Sequence, residues 1–171
     1  MNIYIFPTEL EAEPFRRLSP DSVVVISGVG MAAMAATITS IAHSGGIDDD
    51  ECLVLCGIAG SYVGDIDVGD VVEVVEECCM ELPERFRRVY RQPSPLTSLR
   101  KVVSNSVDGC CSNGANVEIE NMEGATLFAI AEVLNFRFAE VRAISNRVGD
   151  PFDRWNIELA TQRLAEELLR L

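Results

Sequence analysis

Glu123 is the residue whose type and position point most directly to chemistry. It lies where a loop is predicted to become a helix, after Met122 and before Gly124. A carboxylate there can accept hydrogen bonds from two vicinal sugar hydroxyl groups, and a flexible thioether can pack on the face of the sugar. A glutamate at a helix start is also a common capping residue. On these residues alone, both interpretations stay open.

Three glycine-rich segments, at residues 27–30, 57–60 and 148–149, follow predicted strands and are interpreted as turns. Glycine lets a ligand approach the backbone closely, and ligands of open α/β sheets bind beyond the carboxyl ends of strands. Plain chain reversal is the alternative. The first segment lacks the third glycine of a dinucleotide-binding fingerprint, so that motif is rejected. The second segment supplies four candidate binding residues: Gly57, Ile58, Ala59 and Gly60.

Apolar runs alternate with helical patterns and predict the elements that position these residues. Strands are predicted at 3–6, 23–27, 52–56, 71–75, 101–104 and 139–145, with those at 23–27 and 52–56 fully buried. Helices are predicted from residue 9 and at 31–43, 123–134 and 153–170. This alternation predicts one α/β domain over residues 1–171, with a sheet covered on both faces.

Composition and charge narrow the class of protein. The 171 residues are 48% hydrophobic and 24% charged, which is typical of a globular chain. The net charge of −13 would repel a phosphate backbone, so no nucleic-acid partner is expected. No apolar run approaches the roughly 20 residues that span a membrane, and the first residues do not resemble a signal peptide. We therefore expect a cytoplasmic protein without a membrane partner.

Cysteines and arginines form two further groups. The cysteines show no C-x-x-C spacing and the chain has one histidine, so thiols in a reducing compartment are expected rather than a metal site. The arginines form one basic cluster, which is expected to be a solvated surface segment. The cysteines are Cys52, Cys56, Cys78, Cys79, Cys110 and Cys111, and the clustered arginines are Arg85, Arg87, Arg88 and Arg91.

Two longer segments resemble known motifs. Residues 117–125, which end in Asn-Met-Glu-Gly-Ala, resemble the ribose-binding motif of the nucleoside phosphorylase and nucleosidase superfamily. Residues 142–150 resemble that superfamily's late strand and active-site loop, and segments 28–30, 57–60 and 68–72 stand before them in the expected order. The resemblance covers most of the chain. It implies a nucleoside phosphorylase-like fold with a central mixed β-sheet flanked by helices, a homodimer, and no cofactor or metal.

The resemblance also implies a role for each site residue. Glu11 activates a water molecule, with Glu13 as the alternative because the spacing permits a shift. Glu123 holds the ribose hydroxyl groups and stabilises the developing positive charge, while Met122 packs on the sugar. Asn146 forms a hydrogen bond to the departing purine. Because the three glutamates near residue 11 could also be solvated helix residues, that alternative stays open.

Within the superfamily, segments 8–14 and 144–150 most resemble futalosine hydrolases. Methylthioadenosine and adenosylhomocysteine nucleosidases carry aspartate at the position of Asn146, whereas an amide suits a 6-oxopurine such as hypoxanthine. The resemblance therefore implies release of hypoxanthine from futalosine, a step of menaquinone biosynthesis. Because no arginine precedes Arg16, water is expected as the acceptor rather than phosphate. The alternatives are a methylthioadenosine/adenosylhomocysteine nucleosidase, another purine nucleoside phosphorylase-like enzyme, or a non-catalytic nucleoside-binding protein.

The chain is shorter than the resemblance leads us to expect, and the missing part falls between Asp70 and Asn116. In relatives this region supplies part of the purine pocket and a partner-facing loop. Val107 and Trp155 are the expected purine contacts, with Phe152 as a further aromatic side chain near the base.

Overall fold

Eight strands and four α-helices form in the residues that the structure, a computed structural model, describes: 1–45, 47–109 and 116–171. The strands are β1 Asn2–Phe6, β2 Val23–Ile26, β3 Cys52–Ser61, β4 Val71–Cys78, β5 Val89–Arg91, β6 Arg100–Ser106, β7 Ile119–Asn121 and β8 Arg137–Arg147. The helices are α1 Glu9–Leu18, α2 Met31–Ser44, α3 Gly124–Leu134 and α4 Ile157–Leu168. Two short 3-10 turns span Glu84–Phe86 and Phe152–Arg154.

The eight strands form one mixed sheet that partly closes on itself. Its order is β2-β1-β3-β7-β6-β4-β5, and β8 pairs with both β3 and β4. Strands β3, β7, β6, β4 and β8 therefore form a closed ring of hydrogen-bonded neighbours. Within it, β8 runs parallel to β3 and antiparallel to β4, so the sheet is mixed as predicted.

Helices cover both faces of the sheet, because each face presents apolar side chains from the strands. Ile3 and Ile5 of β1 pack in one apolar cluster with residues of α2 and α3. Tyr4 and Phe6 of the same strand pack in a second cluster with residues of α1 and α4. Successive side chains of a strand point to opposite faces, so β1 contributes to both clusters. The single α/β domain with a sheet covered on both faces is confirmed.

Two predictions about strands were wrong. The strand at 23–27 is not fully buried: β2 lies at the edge of the sheet, and Val23 is 42% exposed. Residues 57–60 do not form a turn, because β3 continues through them while paired with β8 along its whole length. Glycine is unfavourable within a strand, but here the long parallel partner supplies the hydrogen bonds that hold the segment extended.

The other predicted strands and helices are present in the structure, but their first and last residues differ from the prediction. The strand predicted at 139–145 extends to Arg137–Arg147, and the helix predicted at 153–170 begins only at Ile157, after a 3-10 turn. Asn156 caps this helix, because its side chain accepts a hydrogen bond from the Leu159 N–H at 3.2 Å. None of the helices within the described ranges is long and apolar enough to cross a membrane.

The described cysteines are mostly buried, whereas the arginines of the basic cluster are exposed. Three cysteine side chains are buried and that of Cys79 is half-buried, while Cys110 and Cys111 lie outside the described residues. Within the described ranges, no three His, Cys, Asp or Glu residues come together as metal ligands. Arg88 and Arg91 pair with Glu132 and Glu76 at the exposed β5 edge. The buried cysteines are Cys52, Cys56 and Cys78.

Candidate active site

A cavity of about 310 Å³ opens where β1, β3, β7 and β8 approach the first turns of the helices. Glu11 of α1 lines one wall and Glu123, just before α3, lines another. The strands place polar side chains from β7 and β8 between them. The cavity therefore collects residues from segments that are far apart in the sequence.

Glu123 is buried, with only 2% of its surface exposed. Although it occupies the residue before α3, its side chain does not cap the helix. Asn121 does so instead, because its Oδ1 accepts hydrogen bonds from the N–H groups of Glu123 (2.8 Å) and Gly124 (2.7 Å). Glu123 Oε1 accepts from the Gly30 N–H at 2.9 Å, and Oε2 accepts from Arg142 Nη2 at 3.1 Å. The carboxylate is therefore held facing the cavity.

Glu11 owes its position to the capping of α1. The Thr8 hydroxyl oxygen accepts a hydrogen bond from the Glu11 N–H at 3.2 Å and donates to Glu11 Oε2 at 2.5 Å. Glu11 Oε1 accepts from the Ile58 N–H of β3 at 3.0 Å. Burial raises the pKa of the Glu11 carboxyl above its ordinary value, although Thr8, Ile58 and the charge of Arg142 oppose the shift. A raised pKa brings a carboxylate closer to the range of an effective general base.

Arg142 is the cation at the centre of the site and is 1% exposed. Its Nε donates to Glu140 Oε1 at 2.7 Å, and Nη2 also donates to Asn121 Oδ1 at 2.9 Å. Burial lowers the pKa of the guanidinium, but the charges of Glu140 and Glu123 outweigh this, so the net shift is upward. Arg142 therefore keeps its charge and neutralises carboxylates on both sides of it.

Gly57 provides the space in which these charges meet. A Cβ atom at this position would lie 2.6 Å from Arg142 Nη1 and 3.0 Å from Glu11 Oε1. Any other residue would push the two charged groups out of place. We call the part of the cavity formed by Glu11, Glu123 and Arg142 the Gly57 end.

A buried pair of carboxyl groups, Glu77 and Glu140, lies beneath the Gly57 end. A Cβ atom on Gly124 would collide with both, since it would lie 2.7 Å from Glu140 Oε1 and closer still to Glu77 Oε1. Among the described residues, Glu140 Oε2 has no hydrogen-bond partner, although the carboxyl groups of Glu77 and Glu140 interact. Burial and the neighbouring carboxyl group raise the pKa of Glu77, and burial also raises that of Glu140 against the pull of Arg142. A proton retained between the two groups satisfies both.

Gly60 marks a second part of the cavity. Its missing Cβ would lie 3.2 Å from Asn146 Nδ2 and 3.5 Å from Glu120 Cγ. The β3–β8 register shifts here, because β8 has one residue more than β3 between Ile144 and Asn146. Such a bulge redirects side chains, and Asn146, which follows the bulge, lies in the cavity wall. We call the part formed by Glu120 and Asn146 the Gly60 end.

Asn146 is almost fully buried and already has hydrogen-bond partners. Its Nδ2 donates to the Arg147 carbonyl oxygen at 2.9 Å, and its Oδ1 accepts from the Ser145 hydroxyl at 2.7 Å. An amide has a second N–H and a second lone pair, so it can still bond a ligand. Asn146 is therefore oriented by its neighbours and keeps hydrogen-bonding capacity for a ligand.

Apolar and aromatic residues complete the wall. Val107 is buried, and the rings of Phe152 and Trp155 lie 5.2 Å apart at the mouth. Trp155 Nε1 donates to the Asp150 carbonyl oxygen at 3.1 Å, which fixes its ring. These side chains give the cavity flat apolar surfaces beside its polar groups.

Known structures have the same arrangement of elements. The chain matches the Helicobacter pylori 5′-methylthioadenosine/S-adenosylhomocysteine nucleosidase, as a mutant with 5′-methylthioadenosine in its active site, with a TM-score of 0.83 at 16% identity. The match covers 99% of this chain and 96% of that one. The futalosine hydrolase of the same organism matches with a TM-score of 0.81 at 17% identity, over 99% and 96%. The chain has a nucleoside phosphorylase-like fold.

A third match extends the likeness to another organism. The Neisseria meningitidis 5′-methylthioadenosine/S-adenosylhomocysteine nucleosidase, in complex with methylthio-immucillin-A, matches with a TM-score of 0.80 at 16% identity. It covers 98% of this chain and 96% of that chain. No family model and no curated protein matches the sequence. The likeness therefore establishes the nucleoside phosphorylase-like fold.

In this fold, most residues singled out from the sequence meet around one cavity. Gly57 does not line the cavity but makes room behind it for Arg142. Glu13 points away: it forms an ion pair with Arg17, and 59% of its side chain is exposed. The predicted site residues that line the cavity are Glu11, Ile58, Ala59, Gly60, Val107, Met122, Glu123, Asn146 and Trp155.

Sequence reasoning missed three contributors to the site. Arg142 stands in a predicted strand, and it is buried, which is rare for a charged residue unless it is paired. Its partner Glu140 stands two residues before it, so this carboxylate–arginine spacing on one strand face was a usable signal. Glu120 lies in a strand of only three residues, too short for its alternation to be read.

Proposed function

We propose that this protein hydrolyses the N-glycosidic bond of a purine nucleoside. The observation that carries the proposal is the pairing of two buried carboxylates, Glu11 and Glu123, across one cavity with Arg142 between them. Two carboxyl groups that flank a sugar are the usual apparatus of glycoside cleavage through an oxocarbenium-like transition state. The fold is shared with nucleosidases.

Each carboxylate has a distinct part in the proposed reaction. Glu123, fixed by Gly30 and Arg142, accepts hydrogen bonds from the ribose hydroxyl groups and stabilises the positive charge that develops on the sugar. Glu11 accepts a proton from the attacking water, and its raised pKa suits that task. Met122, half-buried in the wall, packs on the sugar face. The bond from the anomeric carbon to the base breaks as the water oxygen adds.

The base leaves from the side of Asn146. An amide cannot supply a proton, but its N–H can donate a hydrogen bond to the oxygen of a 6-oxopurine. Negative charge on the departing base spreads onto that oxygen, so a hydrogen bond there assists departure. This favours release of hypoxanthine, and futalosine is the preferred substrate. The alternatives are a methylthioadenosine/adenosylhomocysteine nucleosidase and another purine nucleoside phosphorylase-like enzyme.

Water is the proposed acceptor instead of phosphate. Phosphate sites use basic side chains that offer several donors. Within the described residues, Arg142 is the only cation that lines the cavity, and its guanidinium is committed to three protein side chains. Residues Pro7 and Thr8, which follow β1, bring no positive charge.

The mouth of the cavity also bears on the proposed homodimer. Leu10, Val29 and Phe152 line it and are each more than half exposed. A second copy of the chain would cover such an apolar rim. The homodimer stays a prediction, and sedimentation of the purified protein measures it directly.

A substrate panel tests the proposed reaction. Purified protein is incubated with futalosine, inosine and methylthioadenosine, and free base is measured by chromatography. We expect base release, and a loss of at least about 100-fold in Glu11→Gln, the range lost with a general base. Glu13→Gln is the matched control on the same helix and should stay within about twofold.

Two results would change the proposal. If no nucleoside loses its base but nucleosides still raise the melting temperature, the protein is a nucleoside-binding protein without turnover. If Glu123→Ala binds nucleoside as tightly as the unaltered protein, the site itself is misassigned.

A further inference from the structure

Glu120 is a buried carboxylate in the cavity wall that the proposed reaction does not use. It is 7% exposed and lies on β7, directly opposite Gly60 of β3. The Tyr62 hydroxyl donates a hydrogen bond to Glu120 Oε2, which fixes the carboxylate at one side. Burying a carboxylate in a largely apolar wall is unfavourable unless it is hydrogen-bonded. Glu120 therefore places a hydrogen-bond acceptor in the cavity wall.

The position of Glu120 places it away from the reacting bond. Gly57, beside Glu11 and Arg142, and Gly60, beside Glu120 and Asn146, stand three residues apart on one extended strand. A strand rises about 3.3 Å per residue, so the two ends of the cavity are about 10 Å apart. A nucleoside with its sugar at the Gly57 end therefore presents its base to the Gly60 end.

The hydrogen-bonding edges of the two common purine types differ at two neighbouring positions. A 6-oxopurine presents an acceptor, O6, beside a donor, N1–H. A 6-aminopurine presents a donor, N6–H₂, beside an acceptor, N1. The amide of Asn146 can match either first position, because a second N–H and a second lone pair remain after it bonds Arg147 and Ser145. An ionised carboxylate accepts only, so it matches N1–H and opposes the lone pair of an adenine N1.

We propose that Glu120 is the specificity-determining residue for the base, accepting the N1–H of a 6-oxopurine while Asn146 donates to O6. The inference rests on the proposed function, because it takes the cavity as a nucleoside site. It moves the discrimination between purines from Asn146 to Glu120. Tyr62 acts as a positioning residue that holds the carboxylate toward the base.

Replacement of Glu120 by glutamine tests this assignment. Glutamine has nearly the same shape but carries an N–H₂ group that can donate to an adenine N1. In Glu120→Gln, the ratio of kcat/KM for inosine to that for methylthioadenosine should fall by about tenfold or more, the usual effect of an unmatched buried polar group. Glu118→Gln is the matched control. Glu118 lies just before β7 and bonds Arg100 and the Val103 N–H, outside the cavity, so the ratio should not change.

A binding measurement makes the test independent of turnover. Calorimetric titration with the free bases hypoxanthine and adenine should show tighter binding of hypoxanthine in the unaltered protein and loss of that preference in Glu120→Gln. Glu120→Asp keeps an acceptor, so it should weaken hypoxanthine binding without reversing the preference. Glu120→Asp also tests the assignment if Glu120→Gln does not fold.

The outcomes separate the two proposals. If nucleosides are cleaved but the base preference is the same in Glu120→Gln, the assignment of Glu120 is overturned and the proposed function stands. If no nucleoside is cleaved but the base preference changes, the assignment stands and the proposed hydrolysis fails. If neither free base binds the unaltered protein, the assignment of Glu120 is overturned as well.

Discussion

The two ends of the cavity are built on different principles. At the Gly57 end, Glu11, Glu123 and Arg142 are almost fully buried and are held by hydrogen bonds from four separate segments of the chain. At the Gly60 end, Asn146 and Glu120 are also buried, but they share the wall with the exposed aromatic Phe152. The first end is a hydrogen-bonded arrangement of charges that suits the proposed reaction, while the second offers hydrogen-bonding groups that suit the proposed selection of a base.

Under the proposed function, this contrast separates the residues that carry the reaction from those that select the substrate. A buried charge network fails when one member is removed, because the others lose their compensation. Residues that form hydrogen bonds to the edge of a base can be replaced one at a time, with a smaller effect on stability and activity. The variants below probe the Gly57 end first, where the expected effects are largest.

Removing the central cation should have the largest effect on stability. Arg142→Gln leaves Glu123 and Glu140 buried without a positive partner, which should lower the free energy of unfolding by about 3–5 kcal/mol. Urea unfolding measures the loss. Arg163→Gln, which breaks an exposed ion pair with Glu166, is the control and should cost less than about 1 kcal/mol. A loss in Arg142→Gln as small as in the control would show that the carboxyl groups are already neutral.

Adding one methyl group at each glycine compares the two ends directly. In Gly57→Ala, the new Cβ meets the locked guanidinium of Arg142 at 2.6 Å, so stability should fall by about 1–3 kcal/mol and base release should stop. In Gly60→Ala, the nearest atoms are Val148 Cγ2 at 3.1 Å and Asn146 Nδ2 at 3.2 Å, which can shift slightly. Its effect should be clearly smaller in thermal unfolding. Equal effects would contradict the difference in rigidity.

The buried pair of carboxyl groups should make stability depend on pH. The raised pKa values of Glu77 and Glu140 mean that the folded protein keeps a proton that the unfolded chain releases. This contribution to stability is present below the ordinary carboxyl pKa and is lost as the pH rises through the raised one. Glu140→Gln should therefore flatten the decline of unfolding free energy that occurs as the pH rises above the ordinary carboxyl pKa. A decline as steep as in the unaltered protein would place the proton elsewhere.

Glu73, a carboxylate far from the cavity, should make stability depend on pH in the opposite direction. Burial alone would raise the pKa of Glu73, but Lys101 and the Thr97 hydroxyl and N–H hold it below the ordinary value. Glu73 therefore stabilises the fold above the ordinary carboxyl pKa, and this contribution is lost as the pH falls through the lowered value. Lys101→Met should make unfolding in acid begin at a higher pH.

The smallest effect is expected at the mouth of the Gly60 end. Phe152 is 70% exposed, so Phe152→Ala should leave stability within about 0.5 kcal/mol. Loss of an aromatic contact to the base, worth about 1 kcal/mol, should raise KM about fivefold with kcat unchanged. Steady-state kinetics with the best nucleoside of the panel separates the two parameters. A fall in kcat would mean that this ring also helps to place the reacting bond.

The sequence predicted the fold class and most of the candidate site because those signals are local. Met122 and Glu123 sit in a continuous motif, and the helix that follows has ordinary helical periodicity. Asn146 ends an apolar run that could be read as a strand. These features need no knowledge of distant partners.

The parts that sequence reasoning missed depend on contacts between distant segments. The segment Gly57–Gly60 looks like a turn until β8 pairs with it, and the bulge near Asn146 exists only in that pairing. The role of Arg142 follows from Glu123 and Asn121, which belong to other segments. Neither hydropathy nor spacing along the chain records such neighbours.

The closed ring of strands also dictates when the site can come into existence. Among the described residues, β8 is the last strand, and its pairing with both β3 and β4 closes the ring. Because a polypeptide emerges from the ribosome N-terminus first, Arg142 and Asn146 are made only after the other seven strands. Contacts of such wide sequence separation form slowly. A nascent chain that stops before β8 thus carries Glu11 and Glu123 but no ring to hold them, so binding competence arrives in one late step of synthesis.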